Sequence, residues 1–94
     1  MVMPVEFVYI KDPGATLDYS FDWTDWLGTN ETITATSWTV PAGLTKVSES
    51  HSAYASICRI SGGTVGTSYT VTCQITTNEG EIDRRSLLLT VENR

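Results

Sequence analysis

The segment LDYSFDW at residues 17–23 alternates large apolar and polar side chains with a period of two. Successive side chains of a β-strand point to opposite faces, so this alternation predicts a strand with one buried face. The residues of that face are Leu17, Tyr19, Phe21 and Trp23. A second segment, YTVTCQI at residues 69–75, shows the same alternation. Two such segments in a chain of 94 residues indicate a fold built from β-sheets.

Turn signals made of Pro, Gly and Asn divide the rest of the chain into five more predicted strands. These strands cover residues 7–10, 33–40, 44–48, 53–60 and 83–91. Residues 48–52 are polar and predict a loop. Residues 23–27, followed by Gly28, predict a single helical turn.

About seven short strands separated by turns are typical of a β-sandwich. Trp38 suits the large core aromatic of such a fold, and Tyr69 is a candidate corner tyrosine at the start of its strand. We therefore predict an all-β fold. It is a single immunoglobulin-like β-sandwich of about seven antiparallel strands, and one domain occupies residues 1–94.

The composition argues against several functional classes. Six Lys and Arg residues stand against eleven Asp and Glu residues, whereas nucleic-acid binding normally requires a basic patch. No segment approaches the about 18 to 20 apolar residues of a membrane helix. The N-terminal residues lack the basic region and cleavage site of a secretion signal. We expect no nucleic-acid partner, no membrane partner and a cytoplasmic site of synthesis.

The two cysteines, Cys58 and Cys73, are predicted to be buried free thiols. A chain without an export signal rarely relies on disulfides, and free cysteine behaves as a small apolar residue. Neither residue has the spacing or the histidine partners of a zinc or redox site. A disulfide between them is the alternative.

No residues form a recognisable catalytic or metal-binding set. His51, in a serine-rich segment, lacks a nucleophile motif of the Gly-x-Ser-x-Gly type. Several carboxylates could in principle bind calcium, but their spacing is not that of a calcium loop, and a solvated face explains them better. These carboxylates belong to Asp12, Asp18, Asp22, Asp25 and Glu31. We expect no enzymatic activity, no metal and no cofactor.

Aromatic and arginine side chains are the candidates for partner contacts. Of Trp23 and Trp26, one can complete the core while the other covers an edge or meets a partner. Arg84 and Arg85 either pair with the acidic residues of the last hairpin or anchor an interface, because arginine is enriched at binding hot spots. The sequence leaves both alternatives open.

Several motifs together resemble a family of short tailed-bacteriophage proteins, the fiber-tail adaptor proteins. The motifs are KDPGATLDY at residues 11–19, DWTDWL at 22–27, SWTVPAGLT at 37–45, SGGTVGTSY at 61–69 and DRRS at 83–86. The resemblance covers about residues 7–92. It implies a virion structural protein whose immunoglobulin-like domain is present in several copies on the tail, the connector or the capsid.

This resemblance leads to a functional prediction. We expect a non-enzymatic virion protein, assembled in the host cytoplasm, that docks tail fibers to the tail or connector through protein–protein contacts. Its partners would be other virion proteins, in a multi-copy ring or homo-oligomer, with residues 7–10 as an edge strand. The predicted partner-binding residues are Phe7, Tyr9, Trp26, Arg84 and Arg85. The alternative is a capsid-decoration or carbohydrate-binding module that uses Trp26, Tyr54 and the loop around His51.

Overall fold

The computed structural model describes residues 5–93 as an all-β protein without helices. The seven strands are β1 (Val5–Lys11), β2 (Leu17–Asp22), β3 (Ile33–Thr39), β4 (Leu44–His51), β5 (Ala55–Gly62), β6 (Ser68–Thr77) and β7 (Ile82–Val91). Residues 1–4 and 94 of the predicted domain lie outside the described residues. No helix in residues 5–93 is long and apolar enough to cross a membrane.

The strands form two sheets, which confirms the predicted β-sandwich. The four-stranded sheet has the order β1-β7-β6-β3, and the three-stranded sheet has the order β2-β5-β4. An immunoglobulin-like sandwich likewise places its second, fourth and fifth strands in one sheet and its third, sixth and seventh in the other. The strand order is therefore compatible with the immunoglobulin-like prediction.

One strand pair departs from the antiparallel prediction. β1 pairs with β7 in parallel, with Lys11 beside Val91, whereas the other four pairs are antiparallel. The turn at residues 12–14 leads from one sheet to the other, so β1 and β2 do not form a hairpin. β1 instead lies beside the last strand, and Glu92 N donates to Lys11 O at 3.0 Å where both strands end.

The predicted loop at residues 48–52 is wrong, because β4 continues to His51. Its main chain pairs with β5, with Ser48 beside Arg59 and His51 beside Ser56. β4 is an edge strand whose side chains after Leu44 are all exposed. This part of the strand can be polar because neither of its faces packs against the core.

The core lies between the sheets and contains the side chains that the alternation predicted to face inward. Its buried residues are Tyr19, Phe21, Trp23, Ile33, Trp38, Leu44, Cys58, Ile60, Tyr69, Val71, Cys73, Ile75, Leu87, Leu89 and Val91. Leu17 is the exception and is 43% exposed. It is the first residue of β2, and β2 is an edge strand of its sheet. Phe21 and Trp38 stack with ring centroids 5.5 Å apart and link the two sheets.

Trp23 and Trp26 divide as predicted, with Trp23 in the core and Trp26 half-buried against it. Their ring centroids are 5.8 Å apart in an edge-to-face arrangement. The predicted single turn is present, since the main-chain N–H groups of Trp26 and Leu27 both donate to Trp23 O at 3.0 Å.

The two cysteines are buried free thiols, as predicted. Cys73 donates to Ser56 Oγ at 3.2 Å, and Trp23 Nε1 donates to the same oxygen at 3.1 Å. Desolvation by burial raises the pKa of both the Cys58 and the Cys73 thiol to about 11. Because the thiolate is the reactive form, both thiols are chemically quiet near neutral pH.

Tyr69 has the contact expected of a corner tyrosine. Its hydroxyl accepts a hydrogen bond from Thr64 N at 3.0 Å, which ties the start of β6 to the preceding turn. Gly43 packs over the ring with a φ of 103°, and a Cβ there would lie 2.8 Å from the Tyr69 hydroxyl oxygen. Both the left-handed backbone and the close ring require glycine at this position.

Candidate partner-binding site

The strands β1 and β2 lie beside each other at one side of the sandwich. Each ends its own sheet, so each has a sheet neighbour on one side only. Aromatic contacts join them across the gap between the sheets. The ring centroids of Tyr9 and Tyr19 are 5.3 Å apart, and those of Phe7 and Phe21 are 5.9 Å apart. We call β1 and β2 together the open edge.

A groove of about 340 Å³ runs between these two strands. Its lining residues are Tyr9, Ile10, Leu17, Asp18, Tyr19 and Ser20. Residues 17–20 are consecutive in β2, and consecutive side chains of a strand point to opposite faces. A groove over one face of the strand would contact only every second residue. Four consecutive residues can line one groove only if it runs along the edge of the strand. The groove therefore presents the main chain of β2 together with apolar side chains.

The open edge also concentrates exposed apolar surface. Of the eight large apolar side chains that are exposed in the described residues, four lie on β1 or β2. They are Phe7, Val8, Ile10 and Leu17. The other four, Val47, Tyr54, Val65 and Ile82, are scattered over two strands and two loops. A cluster of exposed apolar side chains is typical of an interaction surface.

Tyr19 lines this groove and carries a buried polar atom. The residue is 5% exposed, and its hydroxyl is one of two buried side-chain groups without a hydrogen-bond partner in the described residues. Burial, and secondarily the nearby Tyr9 phenol, raises the pKa of Tyr19, so the hydroxyl keeps its proton. A buried group without a partner costs about 1–3 kcal/mol of stability. The Tyr19 side chain thus combines a place in the wall of the groove with a buried hydroxyl whose hydrogen bond is unmet.

Lys11 fixes one end of the open edge. Its buried ammonium donates to the main-chain oxygens of Asp12 at 2.9 Å and Gly62 at 2.7 Å. Desolvation by burial lowers the pKa of Lys11, and the charge of Asp12 opposes that shift. Because Gly62 belongs to β5, this side chain ties β1 to the opposite sheet and holds the groove in shape.

The opposite side of the sandwich, formed by β3 and β4, is closed by charged side chains. Trp38 N donates to Glu49 Oε2 at 2.9 Å, and Lys46 Nζ donates to Trp38 O at 3.2 Å. Lys46 and Glu49 also form an ion pair at 3.3 Å. The outward main-chain groups of Trp38 thus have partners within the chain. Charged residues on an edge strand prevent pairing with other chains, and we call β3 and β4 the closed edge.

The predicted partner-binding residues fall into separate groups. Phe7 and Tyr9 lie together on the open edge, with their ring centroids 6.2 Å apart. Trp26 and Arg85 instead meet at Trp23. The Arg85 guanidinium lies 4.2 Å from the Trp23 ring centroid.

Neither guanidinium forms an ion pair with an acidic residue of the last hairpin in the described residues, although Arg84 N donates to Asp83 Oδ1 at 2.8 Å. Arg84 Nε donates to Gln74 Oε1 across the strand pair at 2.6 Å. Arg85 donates to the main-chain oxygen of Asp22 at 3.0 Å and stacks on Trp23. The ion-pair interpretation is therefore wrong, because polar and aromatic partners lie closer to the two guanidinium groups.

The residues of the carbohydrate alternative differ in exposure. Tyr54 and His51 are exposed, whereas Trp26 packs against Trp23. No ring contact joins Trp26 to Tyr54 in the part of the chain that the structure describes. His51 Nδ1 lies 3.1 Å from its neighbour Ser52 O.

Glu31 is buried, which corrects its prediction as a solvated carboxylate. Its oxygens accept hydrogen bonds from Gly28 N at 2.8 Å and Thr77 Oγ1 at 2.7 Å. The Gly28 bond, followed by the Thr77 bond, lowers the pKa of Glu31. The charge of Glu31 in turn raises the pKa of Glu81. Glu31 thus ties the turn after Trp26 to the end of β6, and only its spacing from Gly28 hints at this in the sequence.

The remaining carboxylates do not form a metal site in residues 5–93, where no group of three or more potential ligands converges. Asp18 pairs with Arg59 at 3.1 Å. Asp22 accepts hydrogen bonds from the main chain and hydroxyl of Thr24, and these bonds lower its pKa.

Comparison with known proteins agrees with the resemblance found in the motifs. The family described as podophage GP4 fiber-tail adaptor protein gp77 matches residues 11–90. None of the curated proteins matches the chain. The family match runs from the last residue of β1 into β7 and includes the β2 wall of the groove. Because it covers most of the chain, this protein belongs to the podophage GP4 fiber-tail adaptor family, a family of phage structural proteins.

Proposed function

We propose that the protein docks tail fibers to the tail or connector of a podophage virion through protein–protein contacts. Membership of the fiber-tail adaptor family supports a structural role among virion proteins. The observation that favours docking is the open edge, where two strands that each end a sheet, a groove and four exposed apolar side chains coincide. Edge strands bind other chains because their main-chain groups remain available for pairing.

The proposal assigns no enzymatic activity. The two buried thiols have raised pKa values, so neither is a ready nucleophile. His51 contacts a main-chain oxygen and lies on the exposed strand β4. A structural adaptor needs only surfaces, and this chain concentrates its exposed apolar groups on one of them.

We further propose several copies per virion, as a ring or homo-oligomer, with assembly in the host cytoplasm. A phage tail has rotational symmetry, and a small domain can match it by repetition. Incorporation into a larger assembly would also add stability to a core that is limited by the size of a 94-residue chain.

A phage that lacks this protein tests the proposal directly. Particles made without it should have complete heads and tails but no attached fibers. Supplying the wild-type protein from a plasmid should restore the fibers. Cryo-electron microscopy of complemented particles should then show added density at the junction of fiber and tail. Density over the capsomers, or fibers that stay attached without the protein, would contradict the proposal and favour decoration of the capsid.

A further inference from the structure

The groove of the open edge is shaped for one extended segment. Residues 17–20 line it along the edge of β2, where main-chain donors and acceptors are presented. β2 ends a sheet of three strands, while the facing sheet has four. A segment paired with β2 would become the fourth strand of the smaller sheet and would lie opposite β1.

The side chains of the groove define the chemistry of that segment. Tyr9, Ile10 and Leu17 supply apolar contacts for alternate side chains of an added strand. The Tyr19 side chain also lines the groove and its buried hydroxyl has no partner, which favours a polar group in the segment that can reach it. An aliphatic or aromatic residue every second position, with a polar group among them, meets both requirements.

The charge of the protein argues for a basic partner and against a second copy of the chain. Asp18 lines the groove, with a half-exposed side chain whose cationic partner is Arg59 of the same chain. Asp22 lies two residues further on the same exposed face of β2. Two copies joined at this edge would bring these aspartates of both chains together, and the net charge of −5 on each chain adds to that repulsion. A segment with lysine or arginine beside its apolar residues complements this edge.

We propose that the open edge binds an extended segment of a different virion protein, apolar at alternate positions and basic between them, as an added strand along β2. This inference deepens the proposed function and rests on it. The fiber or the tail protein would supply the segment, and the Tyr19 hydroxyl would hydrogen-bond it.

Site-specific photocrosslinking in assembled virions tests this proposal. p-Benzoylphenylalanine replaces Leu17 in one variant and Val47 in the control, which is similarly exposed but lies on β4. After irradiation, mass spectrometry should map the crosslink from position 17 to one short segment of a fiber or tail protein that is rich in lysine or arginine. Position 47 should give no crosslink to that segment.

Crosslinks from position 17 to a second copy of the chain, or to an acidic segment, would overturn the inference while leaving the adaptor role intact. The same holds for a crosslink to the fiber or tail segment from position 47 alone. A protein found only on the capsid would overturn the adaptor role itself. The two failures are therefore distinguishable in one experiment.

A matched pair of charge variants gives a second readout. Ser20 lies between Asp18 and Asp22 on one face of β2 and lines the groove. Ser20→Lys should lower the number of fiber-bearing particles by about tenfold, because it repels a basic segment, while Ser20→Glu should not lower it. Within the isolated protein the local aspartates favour lysine over glutamate. Ser20→Lys should thus attach fewer fibers although it folds at least as stably as Ser20→Glu. Fewer fibers on the Ser20→Glu particles would contradict the proposal.

Discussion

The open edge and the closed edge each consist of two strands, one from the end of each sheet. They differ in whether charged side chains hydrogen-bond the outward main-chain groups. At the closed edge, Lys46 and Glu49 reach from β4 to the outward main-chain groups of Trp38 in β3. At the open edge the groove is lined by apolar side chains together with Asp18 and Ser20, and the buried hydroxyl of Tyr19 has no partner. This difference supports our proposal that one edge is protected against pairing while the other receives a partner.

The largest effect is expected from the core residue that supports both edges. Phe21 is 1% exposed, stacks on Trp38 of the closed edge and contacts Phe7 of the open edge. Phe21→Ala should lower the free energy of unfolding by about 3–5 kcal/mol, through lost burial and the cavity that remains. Urea denaturation measures this change. Leu17→Ala removes a half-exposed side chain and should cost clearly less, and equal losses would contradict the placement of Leu17 at the surface.

Removing the charged protection should convert the closed edge into an open one. Glu49→Ala deprives Trp38 N of its acceptor and leaves Lys46 without its carboxylate partner. We expect a loss of about 1–3 kcal/mol in the free energy of unfolding, together with self-association that rises with protein concentration. Ser48→Ala, on the exposed part of the same strand, is the control. A variant as stable and as monomeric as this control would show that Glu49 does not protect the edge.

Tyr19→Phe should sharpen the comparison because it separates stability from binding. Deleting a buried hydroxyl that has no partner is expected to leave the free energy of unfolding unchanged or to raise it by up to about 1 kcal/mol. Fiber attachment should fall by about 2- to 10-fold, the value of one lost hydrogen bond. Tyr54→Phe, at an exposed tyrosine outside both edges, should change neither quantity. A Tyr19→Phe variant that is less stable but attaches fibers normally would contradict this prediction. It would show that the hydroxyl has its hydrogen-bond partner within the protein itself.

The smallest expected effect is a pH dependence of the free energy of unfolding. It arises from Glu31 and Glu81, which lie on neither edge. The folded pKa of Glu31 is lowered, so its stabilising contribution is present above the ordinary value of 4.5 and is lost as the pH falls below it. The folded pKa of Glu81 is raised, so its contribution is present below 4.5 and is lost as the pH rises through the folded value. Urea denaturation between pH 3 and pH 7 measures both slopes.

Glu31→Gln should flatten the loss of stability on the acidic side, and Glu81→Gln should flatten the loss at higher pH. Neither substitution should change fiber attachment at neutral pH, since the two carboxylates lie away from the open edge. A large change in attachment would show that the turn after Trp26 also contacts a partner.

The sequence predicted the inner faces of the strands because burial on one face of a sheet imposes a period of two. That pattern identified Phe21, Val71 and Leu89 as core residues. It could not predict that β1 runs parallel to β7, because the same alternation fits either direction of pairing. It also missed the end of β4, where an edge strand with exposed faces has the composition of a loop.

The sequence predicted the candidate site only in part. Phe7 and Tyr9 were predicted at an edge and lie there. Tyr19 belongs to a core-facing position by its spacing, and only the three-dimensional arrangement leaves its hydroxyl without a partner. The protection of Trp38 by Lys46 and Glu49 likewise depends on a contact between strands of different sheets, which no local pattern records.

Hydrogen–deuterium exchange of the protein alone and in fiber-bearing tails would test the central claim most directly. If the open edge is the docking surface, exchange should slow in β1 (Val5–Lys11) and β2 (Leu17–Asp22) on assembly. Exchange in β4 (Leu44–His51) should remain as it is in the isolated protein. Protection that appears in β4 while β1 and β2 exchange unchanged would contradict the account.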